Sequence, residues 1–226
     1  MGWVDVREPF AAPPRFVAPD PSDTSSGEVE FDGGWGELAE VAVEAVSIDA
    51  EPGDRLDITG STLRDVTVAG GEAEIEAFRS SFDACDLSRV RFPSLRATRL
   101  ADCKLVGVDL SGAEIADVVF ERCVLRFANM RMTRLRRVAF VDCTLHEVDA
   151  YDLDAEDVSF AGCDLDTVNI DRLRATRVDL RGARRLGLDH LGSLKGCLVG
   201  EEQLHALTYQ LAFAAGLSVE RGAADR

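Results

Sequence analysis

Four cysteines spaced 20 residues apart are the most chemically suggestive residues in this sequence: Cys103, Cys123, Cys143 and Cys163. Thiolates can hold zinc, form disulfides or act as nucleophiles. A structural zinc site, however, needs four ligands converging on one point, usually from a Cys-x-x-Cys spacing. Here each cysteine is followed two residues later by a leucine (Leu105, Leu125, Leu145, Leu165). Thiols laid out in a line beside core leucines read as small packing residues, not as ligands or a designed bridge. His146, His190 and His205 are dispersed, and no Ser/His/Asp arrangement, P-loop or dinucleotide fingerprint is present. The expectation is a chain without catalytic, metal or cofactor chemistry.

What positions the cysteines is a repeat. From Cys103 to Gly182 the sequence divides into five-residue blocks, CKLVG, VDLSG, AEIAD, VVFER, CVLRF and onward, without a slip. The third residue of every block is apolar: Leu105, Leu110, Ile115, Phe120, Leu125, Met130 and so on to Ala150, Ala155, Ala175 and Leu180. A fixed internal period is read before any other signal. Val118/Phe120, Val138/Phe140 and Val158/Phe160 repeat at the same 20-residue distance as the cysteines. Four blocks therefore make one turn, and turns stack in register. Neither the 3.6-residue helical period nor simple alternation fits. A square coil does, with first and third residues inward and turns pairing at about 4.8 Å.

Val108-Asp109-Leu110-Ser111-Gly112, Val168-Asn169-Ile170 and Val178-Asp179-Leu180-Arg181-Gly182 resemble the pentapeptide-repeat family, whose consensus is Ala-(Asp/Asn)-Leu-x-x. The resemblance covers roughly residues 46–186. It implies an all-β solenoid, a right-handed quadrilateral β-helix, here of about seven coils. It specifies function poorly, because fold alone does not supply function.

Composition narrows the class. The chain has 226 residues, 46% of them hydrophobic, with a formal net charge of −16. Residues 1–60 hold 14 acids against 3 bases, whereas residues 61–190 hold 23 against 19. Such a balance disfavours direct nucleic-acid binding. No apolar run approaches a membrane span, and the start of the chain does not resemble a secretion signal. Cysteines in one inward column suit a reduced, cytoplasmic protein.

The reading divides the chain into a Pro-rich acidic arm (1–37), the β-helix (38–186) and a C-terminal cap (187–226). The arm is expected to be extended or disordered to about Gly27, with Phe10, Phe16 and Val17 as anchors on the solenoid. A two-residue expansion is expected at Ala69-Gly70-Gly71-Glu72, and a contraction around Pro93. The contraction brings Cys85/Leu87 into the cysteine column. A helix over 201–217 carries Leu204, Leu207, Leu211 and Ala214 on one stripe, with Glu201 and Glu202 at its start and Gly216 at its end. Two roles fit it: a plain cap over the end of the solenoid, or a cap that also joins a second copy, as in related proteins.

Residues 20 apart become neighbours on a face. Glu114, Arg134, Asp154 and Arg174 form one column, and Asp117, Arg137, Asp157 and Arg177 another, with alternating charge in both. A solvated face that fixes register is one reading, and a docking face is the other. The less compensated acids, Glu147, Asp149, Asp164, Asp166 and Asp171, form a candidate partner-binding patch. Phe127, Met132 and Tyr151 fall at outward positions. Burial under the arm and an apolar contact patch both fit them.

The resulting expectation is a non-catalytic, rigid scaffold that binds a protein. Resemblance to the family adds an alternative, a DNA-mimicking modulator of DNA gyrase of the fluoroquinolone-resistance type. B-DNA carries a charge per roughly 1.7 Å, and the acid patch is sparse beside that density.

Overall fold

A five-residue block has room for a short strand segment and one corner. The computed structural model describes residues 23–25 and 34–219. There the blocks wind into a right-handed quadrilateral β-helix of about 8 turns with one C-terminal helix, slightly longer than the expected seven coils. Every fifth residue from Asp102 to Arg177 turns the corner in the left-handed backbone region, with φ between 51° and 67°. For a residue other than glycine that conformation costs on the order of 1 kcal/mol. Hydrogen bonds offset it, because each corner N–H points along the solenoid to the next coil. Phe127 donates to the His146 carbonyl at 3.0 Å, Met132 to that of Tyr151 at 2.9 Å and Asp142 to that of Ala161 at 2.7 Å.

All strand pairing is parallel and coil to coil. The first face stacks Trp35–Ala39, Arg55–Thr59, Glu74–Phe78 and Arg91–Arg96 under the leading halves of Glu114–Glu121, Arg134–Val141 and Asp154–Ala161, followed by Arg174–Asp179. The second face contains Val41–Glu44, Thr62–Arg64, Ser81–Asp83 and Arg99–Ala101, then the trailing halves of the long strands. The third runs through Ser47–Asp49 and Thr67–Ala69 to Val124–Arg126, Thr144–Asp149, Asp164–Asn169 and Arg185–Asp189. The fourth is a ladder of single bridges, Asp109 to Asn129 to Asp149.

The core is one filled column. Phe120, Phe140 and Phe160 stack with ring centroids 4.8 and 4.9 Å apart and planes within 5°. Those distances match the rise between neighbouring strands. Cys85, Cys103, Cys123, Cys143 and Cys163 are buried and unbridged. Each thiol contacts the carbonyl two residues back, and Cys85, Cys103, Cys123 and Cys143 also reach one in the previous coil, as Cys143 Sγ does to Val141 and Phe120, both at 3.4 Å. A small side chain with a weak donor suits that position. Burial pushes the Cys197 thiol up to about 11.

Irregularity lies in the N-terminal coils and in the last one, where the register shifts between the Leu165–Leu186 and Val168–Leu188 pairs. The contraction at Pro93 is present: Arg91 pairs with Glu74 and Ser94 with Glu76, with a register shift between them. The expected two-residue expansion at Ala69–Glu72 is present as well: Thr67 pairs with Asp86 and Glu74 with Arg91, so an interval of seven residues here faces one of five in the next coil. Arg55 pairs with Glu74 and Thr62 with Ser81. These 19-residue spacings arise just past the Ala69–Glu72 expansion, where Ile75 and Ala77, central residues of successive faces, have only Glu76 between them. Gly70 and Gly71 turn the expanded corner with φ of 91° and 70°.

At the N-terminal end, Asp23–Ser25 pairs in parallel with Val41–Val43 and extends the second face, although this segment was read as part of the arm. Phe10, Phe16 and Val17 lie outside the described residues. At the other end pairing continues past residue 186. Arg185–Asp189 lies on Asp164–Asn169, and Cys197–Leu198 lies on Val178–Asp179.

The helix α1 (Glu201–Ala214) then crosses the open end. It stops before the expected 217 because Gly216, with φ of 76°, reverses the chain. Leu217 donates to the Ala212 carbonyl and Gly216 to that of Phe213, both at 2.9 Å, a Schellman-type closure.

Candidate functional site

The expected leucine stripe does not form the helix contact as a unit. Leu207 is buried and Leu211 packs partly, while Leu204 and Ala214 are exposed. The anchor missed in the sequence is Gln203. Its Nε2 donates to the Leu180 and Ala183 carbonyls, both at 2.8 Å, and its Oε1 accepts the Gly200 N–H at 2.8 Å. These bonds occupy carbonyls at the last coil that no further strand would reach. Tyr209 and Phe213, one helical turn apart, are exposed at the rim of a groove beside the last coil, Phe213 to 82%.

The five acids of the candidate patch divide between two faces and the corner that joins them. Asp149 accepts from Arg131 at 2.8 Å and from Asn169 at 3.0 Å. Asp166 contacts His146 Nδ1 at 3.2 Å and Arg185 at 3.3 Å, and Glu147 lies 3.1 Å from His146 Nε2. Asp164 stands in register with Thr144 and Arg185 on the third face, and Asp171 borders a groove with His190 and Phe213. Arginines reaching across coils thus withdraw Asp149 and Asp166 from any uncompensated stripe.

The alternating columns pair as neighbours, with one refinement. Asp117 meets Arg137 at 2.6 Å, Asp157 meets Arg177 at 2.5 Å and Glu114 meets Arg134 at 3.2 Å. Asp154, however, takes Arg136 at 3.0 Å, and its column neighbour Arg174 pairs with Asp152. Hydrogen bonds from these arginines hold the Asp117, Asp154 and Asp157 carboxyls below the usual carboxylate range.

Phe127 and Met132 are 51% and 56% exposed, at the two corners that border the fourth face. Tyr151 is half-buried between them, its ring flanked by the guanidinium of Arg131 at 4.4 Å and of Arg172 at 5.3 Å. The arm segments that would cover Phe127 and Met132 lie outside the described residues.

A second feature was missed entirely. On the first face, Glu37, Asp57 and Glu76 stand directly opposite one another in three successive coils. Among the described residues none of the three forms an ion pair. Arg55 hydrogen-bonds Glu74 at 3.0 Å and acts on Asp57 and Glu76 only at longer range, and Arg96 turns to Glu114 at 2.8 Å. Trp35 and Phe78, each 47% exposed, flank the ladder, and Trp35 Nε1 donates to Asp57 at 3.3 Å. The 20-residue rule could not find this column, because one coil there is 19 residues long.

Residues 94–170 match the family model described as a pentapeptide repeat region. The chain carries a pentapeptide-repeat region. No curated protein matches the sequence. Among solved structures, QnrB1, described as a plasmid-mediated fluoroquinolone resistance protein, is 18% identical, with 78% of this chain and 99% of that one covered and a TM-score of 0.38. HetL, a pentapeptide repeat protein involved in heterocyst differentiation regulation in the cyanobacterium Nostoc, is 17% identical over 78% of this chain and 93% of that one, with a TM-score of 0.27. Rfr23 from the cyanobacterium Cyanothece is 14% identical over 73% and 91%, with a TM-score of 0.24. Around the repeat region, the described residues contain no cluster of three or more potential metal ligands and no helix long and apolar enough to cross a membrane.

Proposed function

We propose that this pentapeptide-repeat protein is a non-catalytic scaffold that docks a protein partner on the N-terminal half of its first face. The observation that carries the reading is the contrast along that face. Its C-terminal half neutralises itself coil by coil, as in Glu114–Arg134 and Asp157–Arg177. Its N-terminal half stacks Glu37, Asp57 and Glu76 without a base. Like charges directly opposite are destabilising in a sheet. Exposed aromatics beside them add the residue type that anchors protein interfaces. A partner surface bearing arginine or lysine would relieve the repulsion and cover Trp35 and Phe78. Six free cysteines support a reducing compartment, and we assign the cytoplasm.

The test is a photo-crosslinking amino acid at Phe78, with the same group at Thr176 as control. A discrete adduct at Phe78, absent at Thr176 and lost in Glu37→Lys/Glu76→Lys, is expected. Equal labelling at both positions would refute the docking face.

The gyrase-directed DNA mimic is the competing reading. Its support is the acidity of the chain, but the uncompensated ladder spans only three coils. It requires salt-sensitive inhibition of gyrase supercoiling, or protection from a fluoroquinolone, at micromolar protein. A null result in both assays leaves the scaffold.

The exposed aromatics Tyr209 and Phe213 support a second copy at the C-terminal end. Sedimentation equilibrium should then show a dimer that Phe213→Glu converts to monomer.

A further inference from the structure

Where the central residue of a block shrinks, the filled column must lose packing. From Leu105 to Phe140 the buried central positions hold Leu, Ile, Met or Phe, whereas Ala150, Ala155 and Ala175 lie beyond. An alanine occupies far less of the space between facing walls than leucine, and walls held in register by backbone ladders on every side cannot collapse to compensate. A cavity of about 50 Å³ lies there, bounded by Met130, Leu135, Phe140, Ala150, Ala155 and Ile170 among others. Every lining residue is apolar or a cysteine. The lower coils have no equivalent reason for one, since Leu105, Leu110, Ile115, Phe120 and Leu125 keep their central positions full.

We propose that this cavity is a binding site for a small apolar molecule, of the size of a noble-gas atom or a diatomic gas. Water is a poor occupant, because a buried water requires two to four polar partners and the wall offers none. An aromatic ring is too large: a cavity that takes benzene measures about 150 Å³. What remains is a ligand held by dispersion alone against side chains that already surround it. The stacked rings of Phe140 and Phe160 form one wall, and Met130, flexible and polarisable, forms part of another. Entry is assigned to the C-terminal end, where Leu194 and Cys197 complete the lining and pairing thins to the two-residue strand Cys197–Leu198. The cavity is independent of the docking face, so either can fail alone.

The probe is xenon. In the full chain with methyl-labelled methionine, dissolved xenon should shift the Met130 methyl resonance in a saturable way and leave Met1 and Met132 unmoved. Ala155→Leu, which fills the space, should abolish the shift; Ala150→Val serves the same purpose if the leucine variant does not fold. An unmoved Met130 resonance in the natural sequence would overturn the proposal. So would an identical saturable shift in a folded variant with the space filled.

Discussion

Asn169 donates from Nδ2 to Oδ1 of Asp149, 3.0 Å away in the preceding coil. The two belong to a column on the fourth face that runs Asp109, Asn129, Asp149, Asn169, Asp189. Each of the first four accepts the backbone N–H two residues on, at 3.0 Å for Ser111, 3.3 Å for Arg131, 3.2 Å for Tyr151 and 3.0 Å for Asp171. That local bond is what Asp and Asn do well in turns, and it accounts for the second residue of these blocks. Alternating acid with amide keeps like charges apart along the stack. Asn169→Asp should therefore lower stability at neutral pH by about 0.2–1 kcal/mol, measured by urea unfolding. The difference should shrink as pH falls toward about 4, where carboxylates begin to protonate.

The aromatic stack makes the core prediction specific. Phe140 is fully buried between Phe120 and Phe160. Phe140→Ala should cost about 3–5 kcal/mol, whereas truncating exposed Phe213 should stay within about 0.5 kcal/mol in the monomer. Phe120→Arg or Leu145→Arg should abolish cooperative folding, because an unpaired charge would enter a filled core. An unchanged melting temperature in either would refute the inward register.

Gly70 and Gly53 separate two costs that usually come together. Both have a left-handed backbone, with φ of 91° and 92°. A Cβ at Gly53 would meet nothing, but one at Gly70 would lie 2.0 Å from the Ala50 carbonyl oxygen. Gly53→Ala should show only the conformational strain, on the order of 1 kcal/mol. Gly70→Ala should lose clearly more, since the backbone of the neighbouring coil must move. Equal melting temperatures for the two would mean the first coils are not packed as described.

The stretch from Cys103 to Gly182 was legible because identical residues recur at a distance the backbone must also repeat: Val118 opposite Val138, Phe120 opposite Phe140. Legibility failed where the period changed. With Glu37, Asp57 and Glu76 separated by unequal intervals, a column of carboxylates looked like scattered acids. It failed again for long side chains. Arg136 and Arg174 reach 18 and 22 residues along the sequence to Asp154 and Asp152, so strict column-mates were not always partners. Gln203 was unreadable for the same kind of reason, since it serves carbonyls 20 and 23 residues earlier that only the stacked structure exposes.

Acid should weaken this protein partly through its cross-coil pairs. Hydrogen bonds from Arg122, Arg137, Arg99 and Arg177 lower the folded-state titration of Asp102, Asp117, Glu121 and Asp157. A carboxyl that is lowered on folding stabilises the folded state fully above its unfolded value, near 4. That contribution is lost as pH falls through the folded value. These pairs should therefore leave stability flat from about pH 5.5 to 7 and reduce it below about 4. Arg177→Gln isolates one arginine, because it removes the contacts to Asp157 and to Glu156, 3.0 Å away, and leaves the ladder of Glu37, Asp57 and Glu76 untouched. The destabilisation caused by Arg177→Gln should be largest near neutral pH and fade toward pH 3, followed by urea midpoints across the range. Parallel curves for the two proteins would mean that the Asp157–Arg177 contact contributes nothing to folding.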